Sequence, residues 1–302
     1  MTTAGPFLGR TRQLVLDLWE ISRPGLFLVS LVPYYLGYLL AGEKLIGPAT
    51  GLIGLVVWGP LVWLAVLAIN DAYDLPGDLL NPRKNTPLTA GRISERGAKV
   101  AAYCAAALAL ALSFAVRPEM ALATFGFLAC GWVYSVPPLK WKNRPGLDVV
   151  SNCIPLGVFT VLGGWATVKS FEGFPWIVAG VVLLVEIALY TPTMIPDIDS
   201  DRASGYTTMA VKIGARRTYL LGFVCWTGFW ILTTALAAAG EVFPSWMVWF
   251  WAPCAPVFIW LYHHGLAHAR EPKDIGKGML RVGKLFLIPC VVFVLGYAGI
   301  VG

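Results

Sequence analysis

Nine stretches of the chain stay apolar for about the length a helix needs to cross a lipid hydrocarbon core, roughly 20 residues. They run approximately over 25–41, 51–70, 100–116, 120–137, 149–168, 176–195, 219–240, 246–262 and 285–301. This pattern predicts an all-α integral membrane protein, with nine transmembrane helices around a central cavity. Ahead of the first stretch, Leu14, Val15, Leu18, Trp19 and Ile21 interleave with Asp17 and Glu20, which predicts a short helix lying in the membrane interface. The chain therefore reads as one nine-helix transmembrane domain over 1–302, with 1–23 as a cytoplasmic or interfacial N-terminal segment. That segment lacks an unbroken apolar core before a small-residue cleavage site, so no cleavable signal peptide is expected.

Composition excludes a soluble globule. Hydrophobic residues make up 57% of the chain and charged residues 13%, about half the charged share of an ordinary soluble domain. The basic residues carry topology. Of 23 Lys and Arg, all but Lys44, Arg117 and Lys169 fall in the N-terminal segment and in the loops after stretches two, four, six and eight. Lys and Arg accumulate on the cytoplasmic side, which places the N-terminus in the cytoplasm and the C-terminus outside. The net charge of +6 is then a trace of topology and gives no sign of nucleic-acid binding. The expected location is the cytoplasmic membrane of a bacterium. Cys104, Cys130, Cys153, Cys225, Cys254 and Cys290 sit in apolar stretches without metal-type spacing, as small packing residues do.

The two longest loops, 71–99 and 196–218, lie on the cytoplasmic side and are rich in charge. Long loops of this kind are usually functional or disordered. These two, between stretches two and three and between six and seven, are expected to cap a site that faces the cytoplasm. Each opens on an acidic cluster: Asp71, Asp74 and Asp78 in one, Asp197, Asp199 and Asp201 in the other. Helical positions three, four or seven apart share a face, so Asp71, Asp74 and Asp78 project together, as do Asp197 and Asp201. Carboxylates so placed repel one another unless a cation intervenes, and at a helix C-terminus they also oppose the macrodipole. The simpler reading, solvated helix ends, leaves that cost unexplained at two separate places. Hard oxygen ligands suit Mg²⁺, which binds through one or two carboxylates together with substrate phosphates. Two opposed acidic faces would clamp a diphosphate, and Arg83, Lys84, Arg92, Lys140, Lys142, Arg202 and Lys212 stand where its charge needs them.

Glu186 lies in the middle of the sixth stretch, where an ionisable group is costly and functional by default. On a straight α-helix it stands about 16 Å from Asp197, deep in the cavity. It either orients an acceptor, acts as a base, or packs in a protonated state. His263, His264 and His268 lack a metal-site signature such as HExxH and read as interfacial residues.

The segment from Asn70 to Asp78 resembles the NDxxDxxxD motif of the UbiA superfamily of intramembrane prenyltransferases, and Asp197 to Asp201 resembles its second motif, DxxxD. Tyr134-Ser135 to Lys140 is similar to the family's YxxxP(L)K loop, and Arg23-Pro24 to its Arg-Pro at the start of the first span. The likeness covers nearly the whole chain. It implies a Mg²⁺-dependent enzyme that ionises a prenyl diphosphate and transfers the prenyl group to a hydrophobic acceptor, aromatic or isoprenoid-like, within the bilayer. By the same resemblance Asn70, Asp71, Asp74 and Asp78 form the first metal and diphosphate site, and Asp197 and Asp201 the second. Lys140 becomes a diphosphate ligand; Tyr134 and Arg23 line the cavity near the reacting centre.

Two features depart from the family pattern. Pro76-Gly77 inside the first motif disfavours a continuing helix, which would take Asp78 off the shared face. Thr86-Pro87-Leu88 stands where many relatives read Arg-Pro-Leu, removing a phosphate contact that Arg83 or Lys84 would replace. Two rival activities remain open at this point. One is a terpene cyclase on the same scaffold, and the other an ion-coupled transporter or lipid-binding membrane protein.

Overall fold

The structure, a computed structural model, describes residues 4–42, 49–79 and 84–297. Helices and the loops joining them account for all of the described residues, and no strand occurs among them. The chain forms α1 (Ala4–Ser22), α2 (Phe27–Leu40), α3 (Ala49–Val56), α4 (Val62–Asp78), α5 (Glu95–Val116), α6 (Pro118–Ser135) and α7 (Leu147–Ile154). It continues through α8 (Thr160–Ala166), α9 (Trp176–Tyr190), α10 (Ile198–Ala203), α11 (Met209–Ile213), α12 (Ala215–Ala239), α13 (Val248–Leu266) and α14 (Pro272–Tyr297).

Proline sets the breaks in the long rods. Pro60, which cannot donate to the helix ladder, sits in a π-helical turn that joins α3 to α4, beside Gly59 at φ −92°, ψ −106°. Pro155 opens a similar turn between α7 and α8. Pro192 and Pro196 lie in the 3₁₀ segment Thr191–Asp197 between α9 and α10. Among the described residues six continuous rods are long and apolar enough to cross a membrane: Ala49–Asp78, Glu95–Val116, Leu147–Ala166, Trp176–Ala203, Ala215–Ala239 and Pro272–Tyr297. The remaining three apolar stretches fall on α2, α6 and α13, which are shorter, at 14, 18 and 19 residues.

Helices also extend into what reads as loop. Ser94 caps α5, its Oγ accepting from the Gly97 amide at 3.1 Å. The helix thus starts five residues before the apolar stretch does. Lys273, Lys277, Arg281 and Lys284 belong to α14 and not to a loop; their spacing of three and four puts them on one helical face. Pro76 does not end α4, which runs on to Asp78. The missing donor falls in the last turn, where the helix has little ladder left to lose.

The outside of the bundle is apolar, with Phe114, Leu122, Val224, Ile231 and Trp249 exposed. The inside holds fully buried aromatics, among them Trp58, Trp226, Trp230 and Tyr262. Two of their polar tips find partners: Trp226 Nε1 donates to the Phe258 carbonyl at 3.0 Å and Tyr262 donates to the Ala188 carbonyl at 2.7 Å.

Backbones approach most closely where α2 crosses α8. A Cβ on Gly37 would run into the Val161 carbonyl, and one on Gly164 into the Tyr34 carbonyl. Small residues at such crossings let membrane helices pack by direct backbone contact. Gly164→Leu is therefore expected to force α2 and α8 apart at a cost of about 1–3 kcal/mol. A fall in the thermal unfolding midpoint of the detergent-solubilised protein would register it, and an unchanged midpoint would contradict this packing.

Candidate active site

The first acidic motif lies on the last two turns of α4, and each of its aspartates meets a cation from a different part of the chain. Asp71, 3% exposed, accepts from Arg23 Nη2 at 2.7 Å. Arg23 holds a left-handed backbone, φ 50° and ψ 71°, at the junction of α1 and α2, an uncommon conformation for a residue with a Cβ. Asp74 is gripped through both carboxylate oxygens by Lys142 Nζ. Asp78, kept on the helix, pairs with Lys84 at 3.4 Å. Asn70 donates to Ser135 Oγ at the end of α6 at 3.2 Å.

The segment from Val136 to Gly146, between α6 and α7, reaches both motifs. Lys142, on its 3₁₀ turn Trp141–Asn143, has a side chain only 11% exposed. Burial pushes its ammonium below the ordinary lysine range, while the Asp74 charge pulls the other way. Lys140, also left-handed at φ 36°, places Nζ 5.6 Å from the ring centre of Tyr206, just beyond the second motif. Tyr134, at the end of α6, has its ring centre 5.9 Å from Nζ of Lys142, the ammonium that grips Asp74. The two motifs are thus at one end of the bundle, joined through Lys142 and Lys140 of this segment.

The second motif straddles a change in helix type. Asp197 ends the 3₁₀ segment and Asp201 lies in α10. Asp201 Oδ2 accepts from Thr208 Oγ1 at 3.1 Å. Asp199 points outward and pairs with exposed Arg202 at 3.4 Å.

Other basic residues stand apart. Arg92 is held by Asp17 at 3.2 Å and Glu20 at 2.6 Å; it fastens α1 to the loop before α5 instead of joining the aspartates. Lys212 is exposed on α11, and Arg83 lies outside the described residues. Thr86 is taken up in a turn with Thr89, whose Oγ1 accepts from its amide at 2.8 Å. A groove of about 520 Å³ between α1 and the start of α5 lies away from both motifs.

Asp148 escaped the sequence reading. It is 1% exposed, in the first turn of α7, and accepts from the amides of Gly146 at 2.8 Å, Val149 at 3.0 Å and Met209 at 2.6 Å. The last bond ties the segment after the second motif to the base of α7. A lone acid behind Pro145-Gly146, at the start of an apolar run, was the available signal, since acids favour helix N-termini. Asp148→Ala strands buried amides at about 1–3 kcal/mol each. Faster tryptic cleavage after Arg202 or Lys212 is the expected result, and an unchanged cleavage rate would show that the anchor is dispensable.

Among the described residues no three acidic, His or Cys side chains converge closely enough to cage an ion by themselves. The donor chemistry still fits Mg²⁺, which is commonly held by one or two carboxylates plus phosphate oxygens and water. Two of the three histidines are engaged elsewhere: His263 Nδ1 lies 2.7 Å from the Tyr219 hydroxyl, and His264 stacks on Trp260.

An all-helical membrane protein whose aspartate motifs meet Arg23, Lys84 and Lys142 at one end of the bundle has the form of an intramembrane enzyme. The chain belongs to the UbiA prenyltransferase family, whose model it matches over residues 30–288. It is 32% identical over 234 residues to the lycopene elongase/hydratase of Halobacterium salinarum, covering 74% of this chain and 80% of that protein. It is 30% identical over 206 residues to the digeranylgeranylglyceryl phosphate synthase of Korarchaeum cryptofilum, covering 68% and 70%. A UbiA homologue from Archaeoglobus fulgidus, solved bound to GPP and Mg²⁺, shares the fold with a TM-score of 0.74 at 21% identity, over 94% of this chain and 99% of that one. The protein is a membrane-embedded prenyltransferase.

Proposed function

We propose that the protein transfers the prenyl group of an allylic prenyl diphosphate to an isoprenoid hydrocarbon acceptor, with Mg²⁺ as its metal. In this reading residues 1–302 form one domain that crosses a bacterial cytoplasmic membrane nine times, with the active site towards the cytoplasm. The observation that carries it is the Val136–Gly146 segment, which engages Asp74 through Lys142 and approaches Tyr206 through Lys140. Support for the acceptor class comes from the lycopene elongase/hydratase relatives, since lycopene is an acyclic polyene.

Asp71, Asp74, Asp197 and Asp201 are the residues that would hold Mg²⁺, with Asp78 at the margin. When bound, the ion would neutralise charge on the diphosphate. Lys142 and Lys140 would receive the negative charge that grows on the leaving group as the allylic C–O bond breaks, in a site where fixed donors are effective because water is excluded. Arg23 and Asn70 would orient the head group from the junction of α1 and α2 and from α4. Tyr134 and Tyr190 would form a floor that separates the phosphates from the apolar bundle and turns aromatic faces to the prenyl cation.

The test is incubation of the protein in lipid nanodiscs with an allylic diphosphate, Mg²⁺ and lycopene, with products read by mass spectrometry. One prenyl unit added to the polyene, lost with EDTA and restored by Mg²⁺, is the expected result. A cyclic terpene formed without acceptor would favour cyclisation, and diphosphate release indifferent to Mg²⁺ would contradict the reading.

A further inference from the structure

Building on that reading, we propose that Glu186 is the base that ends the reaction, taking the proton that must leave once the acceptor alkene has captured the prenyl cation. Four acidic side chains are buried in the described residues: Asp17, Asp71, Asp148 and Glu186. The first is paired with Arg92, the second with Arg23, and the third accepts from backbone amides. Glu186, 6% exposed in the middle of α9, has no hydrogen-bond or ion-pair partner among the described residues. An isolated carboxylate in such a place is costly, and no structural contact offsets that cost.

Its position supplies the chemistry. Glu186 precedes Tyr190 by four residues, so the two share a face of α9 about one turn apart, about 6 Å along the axis. Tyr190 packs against the buried cluster that holds Cys153 of α7. Tyr134, 5.9 Å from Lys142 Nζ, stands beside Asp74 at the end of the bundle. From the bundle end inward the order is therefore aspartates, tyrosine pair, Glu186. The run from Asp197 is longer than an α-helix makes it, roughly 20 Å, because Thr191–Asp197 is 3₁₀ and rises about 2 Å per residue. The tyrosines, and not Asp197, define how close Glu186 stands to the reacting carbon.

The steps balance. The allylic C–O bond breaks and its electron pair leaves with the diphosphate. The acceptor's π pair then forms the new C–C bond to C1 of the prenyl group and leaves a cation on the acceptor's neighbouring carbon. A C–H bond beside that carbon gives up its electron pair to a new C=C, and the proton passes to a Glu186 carboxylate oxygen. Where water adds to the cation instead, the same oxygen takes the proton from the added water and the product is an alcohol. The competing base is the departing diphosphate, on the far side of the tyrosine pair.

Wild type, Glu186→Gln and Glu186→Asp in nanodiscs, with Mg²⁺, lycopene and an allylic diphosphate carrying ¹⁸O in its bridging position, separate the alternatives. Movement of that ¹⁸O into non-bridging positions reports ionisation, and mass spectrometry reports product. Glu186→Gln is expected to keep or raise isotope exchange while prenylated product falls about 10²-fold, the scale of a lost general base. Glu186→Asp should recover part of the yield. Wild-type yield and alkene position in Glu186→Gln would overturn the proposal in favour of diphosphate as base. Exchange and product falling together in both variants would overturn it in favour of packing. A wild-type protein with neither exchange nor product would instead refute the prenyl-transfer reading, and this inference with it.

Discussion

Asp71→Ala and Asp197→Ala are each expected to lower Mg²⁺-dependent prenyl transfer by more than about 10³-fold, with the double variant little worse than either. The two residues come from different helices, yet in this account they serve one diphosphate. Losing either half of the clamp leaves the other without the geometry to hold a metal–phosphate unit, so the effects cannot add. Asp71→Ala also releases Arg23 from the carboxylate that accepts from it. Its thermal midpoint, measured beside product formation, would separate unfolding from loss of chemistry. Additive losses of equal size, or activity within tenfold of wild type in either variant, would place the two motifs in separate tasks.

Lys142→Met should reduce turnover by about 10²–10³-fold, the usual scale for removing one donor from a site of developing negative charge. Lys140→Met should cost less. Lys142 is nearly enclosed, bonded to Asp74 and 5.9 Å from the Tyr134 ring centre, whereas Lys140 rests against Tyr206. Lys142→Arg should not restore activity, because a planar fork cannot replace a compact ammonium in so small a space. Steady-state turnover on the three variants decides it; a larger effect at Lys140 than at Lys142 would reverse the assignment.

The apolar stretches carried the all-helical architecture because a bilayer-spanning helix must be apolar over the hydrocarbon core, and their described residues lie mostly in helical segments, six of which form rods long enough to cross a membrane. The spacing of Asp71, Asp74 and Asp78 likewise foreshadowed one acidic face, since α4 keeps its periodicity through Pro76. Long-range partners were beyond reach. Asp148 meets Met209 across 61 residues, and Arg92 meets Glu20 across 72; nothing local distinguishes an arginine that fastens α1 from one that awaits a phosphate. The 3₁₀ run over Thr191–Asp197 was hidden for a different reason. Pro192 and Pro196 mark a disturbed helix, but local sequence does not say whether the chain tightens, kinks or stops there.

Equilibrium binding of a non-hydrolysable prenyl thiolodiphosphate to the protein in nanodiscs, with and without Mg²⁺, addresses the shared site most directly. The account predicts tight binding that needs Mg²⁺ and is lost in both Asp71→Ala and Asp197→Ala. Binding that ignores the ion, or survives the removal of either carboxylate, would contradict it.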